Sequence, residues 1–232
     1  MKMIKIGLIV LFCTLWNGAV WADGKDDHNN TDEKDHHNED LALVPQTGQA
    51  ISFDSNIPQR DDGALQEGIE IPTPRFKDKG NGTIKDRLTG LIWLKNANCP
   101  GATRQWQQAL DDVASLNKTG KMNNIDCGDT SGKGGSHRKD WRLPNIRELH
   151  SLADFAFIAP AISNAAGTGQ GSSSDPFLNF GGGLDFGGAY WSSTTVANST
   201  YAWIVFFGHG IVDGDSKSNS YAVLAVRGDS ED

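Results

Sequence analysis

The sequence predicts an α+β domain in which two main helices pack on small antiparallel sheets that are joined by long irregular loops. Short runs of β-branched and aromatic residues, bounded by glycine turns, occur at residues 75–94 and after residue 190, and such runs are typical of strands. Two stretches between them carry apolar residues at three- and four-residue steps, which indicates helices. No internal repeat of fixed period is evident, which disfavours propellers and solenoids.

Residues 1–22 are predicted to be a secretory signal peptide. Lys2 and Lys5 make a basic start, residues 6–16 are apolar, and residues 20–22 end in the small residue of a cleavage site. The apolar run is far shorter than the ~20 residues of a membrane helix, and no later run approaches that length. We therefore expect no membrane span and an exported protein in the periplasm, at the cell surface or outside the cell.

Residues 23–40 form an acidic segment rich in His, Asp and Asn. Because it has no apolar side chain to bury, we predict a disordered spacer. Its histidines, His28, His36 and His37, are a weak alternative as ligands for zinc, nickel or copper, since they lack a fixed geometry. We expect no other metal and no cofactor. The net charge of −8 argues against nucleic acid as a partner, because nucleic acid requires a basic face.

Residues 41–74 are polar and rich in turn signals, so they predict an irregular lead-in. At Arg75 the pattern changes to a strand, a Gly-Asn-Gly turn, a second strand, a Thr-Gly turn and a third strand at residues 91–94. The acidic residues of this hairpin suggest a calcium loop, but the EF-hand spacing and its terminal glutamate are missing. Turn chemistry therefore explains them better.

Residues 103–117 predict the first main helix, with Trp106 among its core-facing residues. Cys99 and Cys127 remain once the signal peptide is removed, and in an exported protein they predict one disulfide that fastens the loop of residues 117–139. Two free thiols are the alternative. A zinc site would need more ligands than these two cysteines supply.

Residues 140–155, DWRLPNIRELHSLADF, predict the start of the second main helix. Pro144 favours extended geometry before it, Asn145 can cap a helix that begins at Ile146, and Glu148 can complete a capping box. Arg142 can fork onto carbonyls or a carboxylate at this turn, so we interpret it as a structural clamp, with a ligand contact as the alternative. The residues assigned to the scaffold are Trp141, Arg142, Pro144, Asn145, Glu148 and Arg227.

The last part of the chain predicts a small antiparallel sheet. Residues 159–189 are glycine-rich without a helix or strand pattern, and such a long loop is expected to be mobile or to border a binding surface. Strands are predicted at residues 190–196 and 201–207, the second of them apolar on both faces. Residues 208–215 predict a turn, a short strand and a second turn, and residues 221–227 predict a closing strand.

Several motifs follow one another along the chain: DDGALQEG, PRFKDKGNGTIKDRLTGLIWLKNANC, the helix around Trp106, DWRLPNIRELHSL, YWSST and YAVLAVRG. Together they resemble the Lcl C-terminal domain family, a module of secreted bacterial proteins named after the end of a collagen-like adhesin. The resemblance covers roughly residues 47–229, with the domain itself expected at residues 75–229. It implies a C-type-lectin-like fold, of the variant shared with formylglycine-generating enzymes, in which a similar Arg-Leu-Pro turn opens a helix.

The resemblance also carries functional implications. The adhesin is associated with sulfated polysaccharides, and some related lectin-like proteins place variable ligand-binding residues on their final strands and loops. This chain has no collagen-type Gly-X-Y run, so the trimerisation that such a stalk confers is not implied and the oligomeric state stays open. A net negative domain suits sulfated glycans poorly unless Arg and Lys cluster locally.

We therefore expect a secreted or cell-surface binding module, adhesin- or lectin-like, that recognises a glycan or a surface protein without catalysis. The expected ligand-facing patch combines an aromatic platform with short polar groups. Its residues are Trp203, Phe207, His209, Asp213, Asp215, Lys217, Asn219 and Tyr221. Core packing of Trp203 and Phe207, with solvated turns elsewhere, is the alternative. The calcium-dependent sugar motifs of animal C-type lectins do not occur, so ligand contact would be direct.

Two other functions stay open, a structural envelope module without a ligand and a degenerate relative of formylglycine-generating enzymes. Those enzymes use a pair of cysteines in the C-terminal half, and this chain has no cysteine after Cys127. The related iron-dependent sulfoxide synthases need a histidine cluster that is absent here. No serine lies in a nucleophile-elbow context. We therefore expect that the protein is not an enzyme.

Overall fold

The computed structural model of the protein describes residues 44–181 and 188–229. The predicted signal peptide and the predicted acidic spacer lie outside these described residues, and so do His28, His36 and His37. Within the described residues, no helix is long and apolar enough to cross a membrane.

The first sheet contains four strands. They are β1 (Phe76–Asp78), β2 (Thr83–Asp86), β3 (Ile92–Leu94) and, from the end of the chain, β11 (Val226–Arg227). Their spatial order is β1-β2-β3-β11, and all neighbours are antiparallel. The hairpin and third strand that residues 75–94 predict are therefore confirmed. All of β3 is buried, because this central strand has core residues on both faces.

The second sheet contains three antiparallel strands, β7 (Ala189–Thr195), β8 (Tyr201–Phe206) and β9 (Ile211–Ser216), in that order. The prediction of two turns at residues 208–215 is only half right, because Asp213, Gly214 and Asp215 lie inside β9. A Cβ on Gly214 would come within 3.0 Å of Val196 Cγ2. Glycine at this position therefore allows close packing across the sheet rather than a turn.

Residues 221–227, predicted as one closing strand, are divided among three partners. The segment begins at β10 (Ser220–Tyr221), which pairs with β4 (Arg104–Gln105). Ala222 then exchanges backbone hydrogen bonds with β7, and β11 closes the first sheet. This short segment therefore connects both sheets to the start of the first main helix, and residues 222–227 are all buried.

The first main helix, α2 (Trp106–Thr119), begins three residues later than predicted, because Arg104 and Gln105 pair as a strand. The second main helix, α3 (Ile146–His150), begins where it is predicted but is short. The other regular elements are small: α1 (Asp62–Leu65), a hairpin of β5 (Lys121–Met122) and β6 (Ile125–Asp126), and a 3-10 turn at Lys133–Gly135. These elements and the small antiparallel sheets confirm the α+β class.

The core has two clusters of buried side chains. One contains Trp141 and Trp191 and packs under α2, and the other contains Trp93 and Phe177. Phe177 belongs to the glycine-rich segment, whose described part thus contributes core residues, although it has little regular structure. The predicted disulfide between Cys99 and Cys127 is present. In the chain-entropy model a loop of this length is worth about 3–4 kcal/mol.

Candidate functional site

The junction before α3, residues Trp141 to Glu148, has the predicted capping geometry. The Asn145 side-chain oxygen accepts hydrogen bonds from the backbone N–H groups of Arg147 (2.9 Å) and Glu148 (3.0 Å). Glu148 Oε2 in turn accepts from the Asn145 backbone N–H at 2.9 Å. The capping box is therefore confirmed, and it satisfies backbone donors that a helix start leaves without intrahelical partners.

Arg142 forms a fork with Glu148 at this junction. Its two terminal nitrogens each donate to one carboxylate oxygen of Glu148 at 2.6 Å. Burial is the largest influence on Glu148 and raises its pKa, but the hydrogen bonds from Arg142 and the Asn145 amide outweigh burial, so the pKa is lowered. Both terminal nitrogens of the Arg142 guanidinium are occupied by Glu148 at the helix cap. The geometry therefore favours a structural clamp over a ligand contact.

Trp141 fastens the junction to the core. Its indole Nε1 donates to Asp129 Oδ2 at 2.7 Å, and its backbone exchanges two hydrogen bonds with the Asn117 side chain at 2.8 and 2.9 Å. The Arg227 guanidinium lies 5.5 Å from the centre of the indole. The carbonyl of Pro144 accepts a hydrogen bond from the Ser193 backbone. These contacts explain the positions of Trp141, Pro144 and Arg227 in the scaffold without a ligand.

The predicted ligand-facing patch is not one surface. In the β8–β9 pair Ile204 lies opposite Asp213, and Trp203 lies opposite Gly214. Directly opposed residues share a face and successive residues alternate, so Asp213 and Asp215 lie on one face and Trp203 on the other. Trp203 therefore does not form a platform beside the two carboxylates, which corrects that part of the prediction.

Phe207 and His209 are also separated from the others. Phe207 is fully buried and packs against the rings of Phe180 and Tyr190, so the prediction that it faces a ligand is wrong and core packing is right. His209 is exposed, but it lies in the turn between β8 and β9, at the far end of β9 from Lys217. The six residues of β9 span about 20 Å.

The remaining residues meet at the other end of β9, at the turn that leads into β10. We call this region the turn surface. It consists of Asp213, Asp215, Lys217, Asn219 and Tyr221 and, from the start of α2, Trp106. Two carboxylates and one ammonium group give it a slight negative balance.

Asp215 is the centre of a hydrogen-bond network on the turn surface. Its carboxylate accepts from the Tyr221 hydroxyl, from Asn219 Nδ2 at 3.0 Å and from the Ser216 backbone at 2.7 Å. The Tyr221 hydrogen bond is the largest cause of the lowered pKa of Asp215. Burial, followed by the hydrogen bond to Asp215, raises the pKa of Tyr221 to about 12. The turn is thus ordered by its own side chains.

Trp106 is the member of the turn surface that the sequence does not predict. The Lys217 ammonium lies 4.4 Å from the centre of its indole ring, a cation–π contact. Its Nε1 donates to the Ser192 carbonyl at 2.9 Å. Helical spacing assigns Trp106 to the core, and it does pack against the first core cluster. It stays half-buried, because side chains lean toward the helix N-terminus and this residue is the first of α2. The signal in the sequence for this partial exposure is the position of Trp106 near the start of the helix.

The chemistry available on the turn surface is hydrogen bonding and ring contact. Asn219 and Asp213 are exposed, and they offer an amide and a carboxylate to a ligand. In the part of the chain that the structure describes, no group of three or more His, Cys, Asp or Glu side chains could hold a metal ion.

Comparison with known proteins places most of the described structure in one family. The family model described as the Lcl C-terminal domain matches residues 82–227. This match begins at the turn between β1 and β2 and ends with β11, so it includes the junction and the turn surface. No curated protein matches the chain.

Proposed function

The chain belongs to the Lcl C-terminal domain family, and on that premise we propose that it is an exported, non-catalytic binding module that recognises a glycan or a protein through the turn surface. Export is supported by the disulfide between Cys99 and Cys127, since disulfides persist in oxidising compartments, and by the basic and apolar start of the sequence. The periplasm, the cell surface and the extracellular space all fit this proposal.

The observation that carries the proposal is the internal ordering of the turn surface. Asp215 binds Asn219 and Tyr221, and Lys217 lies over Trp106, so these side chains already have fixed positions. A ligand would therefore meet groups whose ordering entropy has largely been lost on folding, which lowers the cost of binding. The lectin-like resemblance agrees with this location, because it implies ligand-binding residues on the final strands and loops.

The chemistry of the turn surface suits polar ligands better than apolar ones. A carboxylate accepts hydrogen bonds from hydroxyl or amide groups, and the side-chain amide of Asn219 can both donate and accept. The half-buried rings of Trp106 and Tyr221 provide apolar edges beside these groups. This combination fits sugar hydroxyls or a peptide backbone, which contact the protein directly.

A glycan array and a host-surface protein array test the proposal. The triple variant Asp213→Ala, Lys217→Ala and Tyr221→Phe should lose binding to any ligand that the arrays identify, and its melting temperature should fall little. The variant removes the Asp213 carboxylate, the Lys217 ammonium group and the Tyr221 hydroxyl, and it keeps the ring of Tyr221, which packs against Trp191 at 4.9 Å.

The matched control is the pair Asp111→Ala and Lys118→Ala on the exposed face of α2, which removes the same two charges elsewhere. Binding that survives in the triple variant, or that is lost equally in the control, would contradict the assignment to the turn surface. Arrays without any ligand would instead favour a structural module of the envelope.

A further inference from the structure

A cleft lies between the β1–β2 turn and the residues that follow β6. Its volume is about 370 Å³, within the range of sites that hold small molecules. It shares no residue with the turn surface, so an inference about the cleft does not depend on the proposed function. The side chains that line it include Asp78, Lys95, Asn96, Asp126 and Leu178.

Glycines give the cleft its shape. A Cβ on Gly82 would lie 1.9 Å from the Gly128 carbonyl oxygen, so only glycine lets the two turns meet at the base. At Gly80 and at Gly128 a Cβ would meet nothing within 4 Å. The two turns therefore touch below and leave open space above, which makes a concave site.

Both hydrogen-bond donors and hydrogen-bond acceptors line this space. Lys95 Nζ donates to Asp78 Oδ2 at 2.6 Å, and the two side chains are 30% and 47% exposed. One oxygen of Asp126 accepts from the Gly128 backbone at 2.8 Å. Within residues 44–181 and 188–229, the other carboxylate oxygen of Asp126 (Oδ2) and the side-chain nitrogen of Asn96 (Nδ2) form no hydrogen bond. The cleft thus offers a free acceptor and a free donor.

The balance of charges limits the class of ligand. Asp78 and Asp126 carry negative charge and Lys95 carries positive charge, so the net charge of −1 disfavours anions such as sulfate. A divalent cation is disfavoured as well, because Lys95 occupies one oxygen of Asp78. Leu178, 42% exposed, adds an apolar wall. A neutral ring that carries hydroxyl groups satisfies all of these features, since each hydroxyl both donates and accepts and the C–H face contacts leucine.

We propose that this cleft binds a single neutral saccharide unit, with the Asp126 carboxylate accepting from a hydroxyl and the Asn96 amide and Lys95 ammonium donating to others. The unit is either a free sugar or the end of a longer glycan, because both present the same hydroxylated ring to the cleft.

Titration of the purified protein with the methyl glycosides of glucose, mannose, galactose and N-acetylglucosamine tests this, followed by NMR of backbone amides and by calorimetry. At least one glycoside should shift the amide signals of Gly80 and Gly128. Asp126→Asn replaces the free acceptor by an amide, and it should weaken the binding of that glycoside at least about tenfold, or about 1.4 kcal/mol. Asp126 is exposed, so the replacement leaves the core intact.

The matched control is Asp111→Asn on α2, where affinity should stay unchanged. The proposal is overturned if no glycoside shifts the amides of the cleft, or if binding survives Asp126→Asn. Loss of glycoside binding in the triple variant of the turn surface, with normal binding in Asp126→Asn, would overturn the cleft and support the turn surface. Both sites are supported if the triple variant of the turn surface loses only its binding to the array ligand and Asp126→Asn loses only its binding to the glycoside.

Discussion

The junction of Trp141 to Glu148 and the turn surface both hold a carboxylate in a hydrogen-bond network, but the networks have different partners. Glu148 binds a helix cap and Arg142, and Trp141 binds the buried Asp129. Asp215 binds groups of its own turn. The junction therefore joins distant parts of the fold, whereas the hydrogen bonds of Asp215 order only its own turn.

This difference separates side chains that determine the fold from side chains that remain available to a ligand. A polar group that satisfies buried donors is costly to remove, because its partners are left without hydrogen bonds. A polar group on an exposed turn can exchange its partner for water or for a ligand at little cost. The most constrained stretch of the sequence is thus scaffold, and the candidate site lies later in the chain.

The largest expected effect comes from the two tryptophans. Trp141→Ala should lower the free energy of unfolding by about 3–5 kcal/mol, because Trp141 is 3% exposed and its loss leaves a cavity and removes a hydrogen-bond partner of Asp129. Trp106→Ala should cost less than about 2 kcal/mol, because Trp106 is half-buried. Urea denaturation followed by circular dichroism measures both losses. Equal losses would show that Trp106 belongs to the scaffold.

The parts of the fold that could be predicted from the sequence depend on local chemistry. The β1–β2 hairpin follows from glycine turns, and the start of α3 follows from Asn145 and Glu148, whose hydrogen bonds span three residues. The disulfide followed from the cysteine count and the expected compartment. The residues that decide the hairpin and the helix start are neighbours in the sequence. For the disulfide, Cys99 and Cys127 are the only two cysteines that remain after the predicted signal peptide.

The parts that were not predicted depend on distant partners. Gly214 suggests a turn locally, but it pairs with Trp203 in the sheet, where a Cβ would come within 3.0 Å of Val196. The division of residues 221–227 depends on Arg104 and Trp93, more than a hundred residues earlier. Proximity in the sequence groups Trp203 with the carboxylates, but alternation along the paired strands puts it on the opposite face.

A pair of asparagines sharpens the comparison at a smaller scale. Asn145→Ala should cost about 1 kcal/mol of unfolding free energy, because it removes the side chain that caps α3. Asn219→Ala should change the unfolding free energy by less than about 0.5 kcal/mol, because Asn219 is exposed and its side-chain amide donates to Asp215 within the same turn. Chemical denaturation of both variants measures the difference. A larger loss in Asn219→Ala would mean that the turn supports the fold.

The smallest effect concerns the hydrogen bond between Tyr221 and Asp215. Its contribution to stability is fully present below the ordinary tyrosine pKa of 10.0 and is lost as pH rises through the raised value of about 12. At the acid end it is present above the ordinary aspartate pKa of 3.8 and is lost as pH falls through the lowered value. Because neither side chain is fully buried, solvent screens the interaction, and Asp215→Asn should cost only about 0.5 kcal/mol between these limits.

Absorbance of the tyrosinate form gives a sharper measure than stability. In Asp215→Asn the pKa of Tyr221 should fall from about 12 toward 10.0, since the carboxylate that favours the neutral phenol is gone, while burial keeps part of the shift. Asp111→Asn is the control and should leave the tyrosine titration unchanged. An unchanged titration in Asp215→Asn would mean that the hydrogen bond does not order the turn. The turn surface would then lose the preorganisation on which its proposed role depends, although the junction would be unaffected.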